Sequence, residues 1–290
     1  KWKDYGDPKG SACGKVEPRR HLRLEALLGI VDGDILVHSH CYRLDEIVML
    51  LRIADRFGFK VKSLQHVLEG YKIASEIAAH GASCSTFSDW WAYKIEAFDA
   101  IPHNAALLQE AGVLTLMKSD SNELMRHLNT EAAKAMKYGG MSEEQAIRLV
   151  TINPATQLSL QDRTGSIEVG KDADLAIYNG HPLSGFARCE MTLVEGEVYF
   201  QREGFGSVKA PAFTVPATRG PELGNLKVTR NANNNYAIKG VTVHPVTGPV
   251  VKNALVQVAQ GKIKSIQDLD KQTEIELPDT MTLVDAKGLH

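Results

Sequence analysis

Cysteines and long apolar runs are both scarce in this sequence of 290 residues. The 4 cysteines, Cys13, Cys41, Cys84 and Cys189, contain no CxxC pair, which argues against a zinc ribbon or a disulfide scaffold. No apolar stretch approaches the ~20 residues that a membrane-spanning helix needs, and the opening KWKDYGDPKG lacks the apolar core of a signal peptide. We expect no membrane partner, and the compartment stays open between exported and cytoplasmic.

An excess of charge of one sign is also absent. The formal net charge is -2 at pH 7 with 23% charged residues, so no basic stripe marks a surface for nucleic acid or anionic lipid. The hydrophobic content of 43% is ample for packed cores, and the length allows about two domains. Composition therefore predicts a globular protein whose partner is a small, weakly charged substrate.

Residues 1–160 alternate short apolar strands with amphipathic helices. Strands are predicted over 34–38, 60–66, 82–87 and 112–118. Helices are predicted from Leu44 to a stop at Gly58, over 70–79, over 104–110, and after a capping box of Ser142 and Gln145. This alternation predicts an α/β fold with a parallel sheet, either doubly wound or closed into a barrel. A TIM-type barrel has eight such units, so the four visible here would be half of one.

Beyond Asn153 and Pro154 the sequence changes to short strands separated by glycine. In the segment 161–203 strands are predicted at 165–170, 174–178, 191–195 and 198–201. Residues 204–235 are rich in Pro, Gly and Asn and are predicted to be a linker. A second β segment, 236–290, has predicted strands at 241–243, 254–258, 262–266 and 282–284.

Side chains that bind metals lie where the predicted strands of the first part end. His38 ends the first strand, His66 ends the second, and Asp120 lies just past the fourth. The carboxyl ends of parallel strands meet at one edge of a sheet, so these side chains are expected to converge. Two imidazoles and a carboxylate suit zinc or a similar divalent ion. Taken singly, each residue is as readily a hydrogen-bonded loop residue, and only the joint pattern predicts a metal site.

Further polar and aromatic residues are candidates for substrate binding. His40 lies two residues after His38 and points to the same side of an extended chain, which predicts a role in binding substrate or in supporting the metal ligands. Trp90, Trp91 and Tyr93 follow the third strand and are candidate walls of a pocket, although such clusters are more often core packing. No GxSxG, GxGxxG or Walker-type loop follows a strand, which disfavours a serine hydrolase and a nucleotide-binding domain.

The motifs VHSH at His38, QH at His66 and KSDS around Asp120, followed by TINPA and GSIEVGKDADLAIY, together resemble the amidohydrolase superfamily. The similarity is greatest to the branch with imidazolonepropionase and prolidase-like dipeptidases, and it covers most of 34–201. The resemblance implies strands five to eight of a TIM-type (β/α)8 barrel beside a small composite β-sandwich domain. It also implies that His38, His66 and Asp120 bind one or two divalent ions, with Zn2+ the default metal.

The activity implied by the resemblance is metal-dependent hydrolysis of an amide, cyclic amide or peptide-like carbon–nitrogen bond. In the family pattern Asp120 also accepts a proton from the attacking water and then passes it to the leaving nitrogen, as a general base and acid. The family's HxH after strand one and its strand-four ligand have no counterpart here. A catalytically degenerate structural or assembly module is therefore the alternative function.

The order of the segments predicts how this chain relates to a longer parent protein. Residues 1–160 would be the second half of a barrel and 161–203 the sandwich segment that follows it. Residues 236–290 resemble the start of a second unit, which implies a tandem amidohydrolase; a circularly rearranged sandwich within one unit is the other interpretation. The remainder of the parent chain, or a homo-oligomer, would complete the barrel.

Overall fold

The computed structural model describes residues 21–90, 92–202, 228–271 and 277–290. The first part of the chain forms a four-stranded parallel sheet in the order β1-β2-β3-β4. Its strands are β1 (Val37–Cys41), β2 (Val61–His66), β3 (Ser83–Thr86) and β4 (Thr115–Met117). The helices are α1 (Leu22–Asp32), α2 (Leu44–Phe57), α3 (Ala74–His80), α4 (Asn104–Glu110), α5 (Leu128–Gly139), α6 (Glu143–Arg148) and α7 (Ile152–Gln157). Short 3-10 turns occupy Gly70–Ile73, Ile95–Ala97 and Leu124–His127.

Helix α2 illustrates how the sequence builds this layer. Its apolar residues recur at helical spacing, and Ile47, Leu51 and Ala54 are buried on one side of the helix. That side packs in the same core as Val61 of β2. Gly58 ends the helix with a left-handed φ of 73°, which glycine adopts without a steric penalty. The predicted helix and its stop are confirmed, and truncating a side chain such as Leu51 to alanine costs about 2–5 kcal/mol.

The first strand lies later in the chain than the sequence pattern predicts. β1 begins at Val37, whereas the predicted strand covers 34–38. Ile35 lies instead in the turn after α1, and its N–H donates to a backbone carbonyl of that helix at 2.9 Å. The prediction is wrong because apolar content cannot locate a strand edge that is set by pairing with the neighbouring strand. As a result, His40 rather than His38 lies near the carboxyl end of β1.

Helix α7 and the segment after it also differ from the prediction. No helix is predicted over 152–157, and the first strand predicted after Pro154 is 165–170. Pro154 lies in the first turn of α7, where its missing N–H is tolerated. Residues 165–170 form bends and turns rather than the predicted strand. Gly165 has a φ of 92°, and a Cβ at this position would lie 2.7 Å from the Ala155 Cβ. Close contact with α7 therefore constrains the backbone conformation at Gly165.

Two further sheets come from the β segments before and after the predicted linker, and they share one hydrophobic core. The antiparallel sheet β5-β6-β7 is formed by β5 (Leu175–Tyr178), β6 (Cys189–Val194) and β7 (Glu197–Gln201). The sheet β10-β9-β8-β11 is formed by β8 (Tyr236–Val243), β9 (Val251–Ala259), β10 (Lys262–Asp268) and β11 (Thr282–Asp285), with β11 parallel to β8. Leu193, Tyr236 and Val256 are buried in this common core. Backbone hydrogen bonds of 2.7 and 3.0 Å between Tyr178 and His290 also join the two segments.

Some of the sequence predictions fall on parts of the chain outside the described residues. The linker predicted at 204–235 lies for the most part on 203–227, and Trp91 is a further such position. Within the ranges that the structure describes, no helix is both long and apolar enough to cross a membrane.

Candidate active site

Two histidines meet at the carboxyl ends of β1 and β2. His40 Nδ1 lies 2.7 Å from His66 Nε2, and the ring centroids are 4.7 Å apart. His66 is buried, with 3% of its surface exposed. Burial, aided by the positive charge of Lys118, lowers the pKa of His66 to about 4. The His66 ring is therefore neutral at pH 7, which is the state that a metal ligand requires.

The structure places the other two predicted ligands differently. His38 and His40 both lie on the exposed face of β1, and within the described residues it is His40, not His38, that hydrogen-bonds to His66. Asp120 lies exposed beyond β4, where its negative charge opposes the effect of Lys118 on the pKa of His66. No three His, Cys, Asp or Glu side chains of the described chain are grouped so as to hold a metal ion. The set of His38, His66 and Asp120 stays a prediction.

The backbone is strained at the strand ends that carry these residues. His66 has a φ of 75°, Val67 a φ of 50° and Asp120 a φ of 53°, all in the left-handed region. Such a conformation costs about 1–3 kcal/mol for a residue other than glycine, and it persists only where the surroundings hold it. Val67 is held by its N–H bond to Cys41 O at 2.9 Å and by Asn104, whose Nδ2 donates to Val67 O at 2.9 Å. Strain of this kind is typical of functional sites.

Aromatic rings surround His66 in a closed series of contacts, which we call the aromatic belt: Tyr42, Phe87, Trp90 and Tyr93. Tyr42 stacks on His66 with centroids 4.5 Å apart, and Phe87 lies 5.3 Å from the same ring. Trp90 contacts Phe87 at 4.7 Å and Tyr93 at 5.1 Å. The hydroxyl groups of Tyr93 and Tyr42 are 3.1 Å apart and complete the series. Trp90 and Tyr93 thus contact the two rings that lie on His66, and their role as pocket walls stays a prediction.

Two lysines contact this belt and were missed by the sequence reasoning. Lys94 Nζ lies 3.6 Å from the centroid of the Tyr42 ring, and Lys118 Nζ lies 4.9 Å from that of Phe87. Burial lowers the pKa of Lys118, although the nearby Asp120 acts in the opposite direction. Lys118 could have been identified from the sequence, because this lysine begins the KSDS motif, two residues before Asp120. Lys94 and Tyr42 are brought together only by the fold.

The arrangement fits a divalent metal ion better than a cysteine nucleophile. Two imidazole nitrogens converge, His66 is neutral, and the carboxylate of Asp120 is within electrostatic range. His66 Nδ1 is buried and has no hydrogen-bond partner among the described residues. A buried ring nitrogen of this kind is available to a metal ion or another polar partner. Burial raises the pKa of the Cys41 thiol to about 12, so this nearby group stays protonated at neutral pH.

Comparison with known proteins assigns the family. The sequence model of the amidohydrolase family matches residues 15–215. The chain belongs to the amidohydrolase family. Its relatives in this family include hydrolytic enzymes, and the predicted resemblance is confirmed.

Individual relatives show how much of the family the chain covers. The crystal structure of an amidohydrolase from Thermotoga maritima MSB8 matches with a TM-score of 0.58 and 33% identity, over 65% of this chain and 49% of that protein. Amidohydrolase tasK from Hapsidospora irregularis is 27% identical over 184 residues, which is 62% of this chain and 19% of the relative. Imidazolonepropionase from Thermoplasma volcanium is 31% identical over 124 residues, which is 42% of this chain and 30% of the relative. The chain is thus similar to less than half of each relative, and its TIM-barrel-like α/β fold is that of the family.

Proposed function

We propose that this amidohydrolase chain carries half of the active site of a metal-dependent hydrolase that cleaves a carbon–nitrogen bond. Its family membership supports hydrolysis of such bonds in general. The observation that carries the proposal is the 2.7 Å approach of His40 and His66 at neighbouring strand ends, with His66 held neutral. The predicted His38 is replaced by His40 in this proposal, because His40 contacts the second histidine.

His40, His66 and Asp120 would hold the metal, and Zn2+ is the default for this set of ligands. When bound, a divalent ion polarises a carbonyl group and lowers the pKa of water. The carboxylate of Asp120 accepts the proton of the attacking water and later donates it to the leaving nitrogen. Lys118 lies close enough for its positive charge to lower the pKa of His66, and the negative charge of Asp120 raises the pKa of Lys118.

The belt and its lysines favour a substrate that carries a negative charge. Lys94 lies on the Tyr42 ring, and Tyr93 presents its hydroxyl group to the hydroxyl of Tyr42. An ammonium group beside the one phenolic O–H that the Tyr42–Tyr93 bond leaves free is suited to hydrogen-bond a carboxylate. We expect a small substrate with a carboxylate at one end and an amide or cyclic amide bond near the histidine pair.

The four parallel strands correspond in this proposal to strands five to eight of a barrel, with the two β sheets as a composite sandwich. β1 and β4 are the edge strands of their sheet, and α1 carries the exposed side chains Leu22, Leu24 and Leu27. Exposed strand edges and apolar helix faces are the features that a protein normally covers. The remainder of the parent chain would cover them and supply the missing ligands.

A structural or assembly role without catalysis remains the second candidate. It is favoured by the absence, among the described residues, of three ligand side chains grouped for a metal. Full-length protein whose turnover does not depend on Asp120 or on a metal would support this alternative.

The test of the proposal is hydrolysis of a panel of N-acyl amino acids and cyclic amides by the full-length protein. Dialysis against a chelator should abolish turnover and Zn2+ should restore it, and Asp120→Asn should lower kcat by about 10²- to 10⁴-fold. Asp162→Asn, which changes an exposed aspartate in the same way, serves as the control. Undiminished turnover by Asp120→Asn, or by the chelated protein, would rule the proposal out.

A further inference from the structure

In the loop that follows β3, two side chains belong to the aromatic belt, and the two side chains between them in sequence bond to α5. Phe87 and Trp90 stack on each other, and the Phe87 ring lies 5.3 Å from that of His66. Ser88 and Asp89 lie between them in sequence and bond instead to α5. The loop is therefore held by polar bonds to a helix while its rings form part of the aromatic belt.

The part of α5 that holds this loop is a partly buried charge network, in which Glu131 is buried and Lys134 is about a quarter exposed, with 26% of its side chain accessible. Glu131 is 3% exposed, and its Oε2 accepts a hydrogen bond from Ser88 Oγ. Lys134 Nζ donates to Glu131 Oε1 at 2.7 Å and to Asp89 Oδ2 at 2.5 Å. Burial alone would lower the pKa of Lys134, but the hydrogen bonds to Asp89 and Glu131 raise it. The ammonium group therefore stays charged, and it holds the carboxylates of Asp89 and Glu131 by hydrogen bonds.

Stability alone does not account for charges at this position. Desolvation of an ion costs several kcal/mol, and a packed apolar cluster of similar volume is often as stable as a buried ion pair. What the network adds is orientation, because charge-assisted hydrogen bonds hold the adjacent side chains of Ser88 and Asp89 against α5. We propose that Glu131 and Lys134 are positioning residues that hold the aromatic belt against His66.

This inference rests on the proposed function only in that the belt lines the proposed hydrolytic site. The position of the loop can be measured without turnover. Hydrogen–deuterium exchange of the peptide covering 87–94, in the full-length protein, reports on the loop directly. The kcat and KM of hydrolysis report on its consequence. If the protein does not hydrolyse the proposed substrates, no kinetic result is obtained, but the exchange measurement still tests the inference.

The variants are chosen to remove single bonds of the network. Glu131→Gln removes the buried charge, Ser88→Ala removes one hydroxyl group, and Lys134→Arg keeps the charge as a conservative rescue. We expect faster exchange in 87–94 for the first two variants, with exchange in β2 unchanged, and near-normal exchange for Lys134→Arg. Where hydrolysis is measurable, kcat/KM should fall about 10- to 100-fold for Glu131→Gln, because displaced rings no longer hold the site in place.

The matched control is Glu144→Gln on α6. Glu144 is an exposed glutamate that pairs with Arg148 at 3.5 Å, so the same chemical change is made outside the network. Its exchange in 87–94 should equal that of the unaltered protein. Unchanged exchange in both Glu131→Gln and Ser88→Ala, or a rise spread evenly over all strands, would overturn the inference. If Glu131→Gln does not fold, Ser88→Ala and Lys134→Met decide the question by the same criterion.

Discussion

Burial lowers the pKa of histidine side chains at two places in this chain. Burial and nearby positive charges keep His66 neutral next to His40. A second group of histidines lies between the two β segments, where His244 Nε2 is 3.3 Å from His290 Nδ1 and the His181 ring is 4.9 Å from that of His244. Burial, followed by the charges of His181 and His290, lowers the pKa of His244 to about 4. The His244 ring is thus packed in its neutral form at pH 7.

We predict that acidification weakens the β domain through His244. The ordinary pKa of 6.5 applies in the unfolded chain, so between 6.5 and about 4 the unfolded state binds the proton more readily. Stability is then fully present above pH 6.5 and is lost as the pH falls toward about 4, with Glu143 of α6 acting in the opposite direction. Urea unfolding from about pH 7 to about pH 5 measures this slope.

The variant His244→Gln should show a weaker loss of stability over that pH range, because it lacks the titrating ring. His103→Gln, at an exposed histidine outside the cluster, should keep the slope of the unaltered protein. Identical slopes for His244→Gln and the unaltered protein would show that this ring does not couple folding to protons.

Helices and strands were predictable from the sequence where local chemistry determines them. The capping box of Ser142 and Gln145 is present at the start of α6, and α4 covers the predicted 104–110. The predicted strands at 34–38 and 165–170 are displaced or absent, because strand pairing and contact with α7 override the local apolar pattern. Local patterns identify an element, whereas its edges depend on a distant partner.

We predict that the contact of two hairpin turns is sensitive to a single added methyl group. Gly261, in the turn between β9 and β10, has a φ of 73°, and a Cβ there would lie 2.6 Å from Glu195 O in the turn between β6 and β7. Gly261→Ala should lower the free energy of unfolding by about 1–3 kcal/mol or more. Gly248→Ala, where a Cβ meets no atom within 4 Å, should change it by less than about 0.5 kcal/mol. Equal effects in urea denaturation would contradict this account of the turn contact.

At the scale of the whole molecule, the candidate site depends on side chains that are far apart in sequence. The motifs around His66 and Asp120 predicted the family, which is confirmed, and a site at the carboxyl ends of the strands, which stays a prediction. The contact of His40, rather than His38, with His66 was not predictable, because it depends on where β1 ends and on its register with β2. Trp90 and Tyr93 of the belt were candidates from the sequence, whereas the contacts of Tyr42 with Tyr93 and Lys94 exist only in the folded chain.

The most direct test of the account is a Zn2+ titration of the full-length protein and its single histidine variants, after removal of bound metal by a chelator. We predict that His40→Ala and His66→Ala each weaken Zn2+ affinity by at least about 10- to 100-fold, because each removes a proposed ligand. His38→Ala, and His103→Ala as an exposed control, should bind like the unaltered protein. Undiminished affinity in His40→Ala, or a loss in His38→Ala alone, would contradict the proposed metal site.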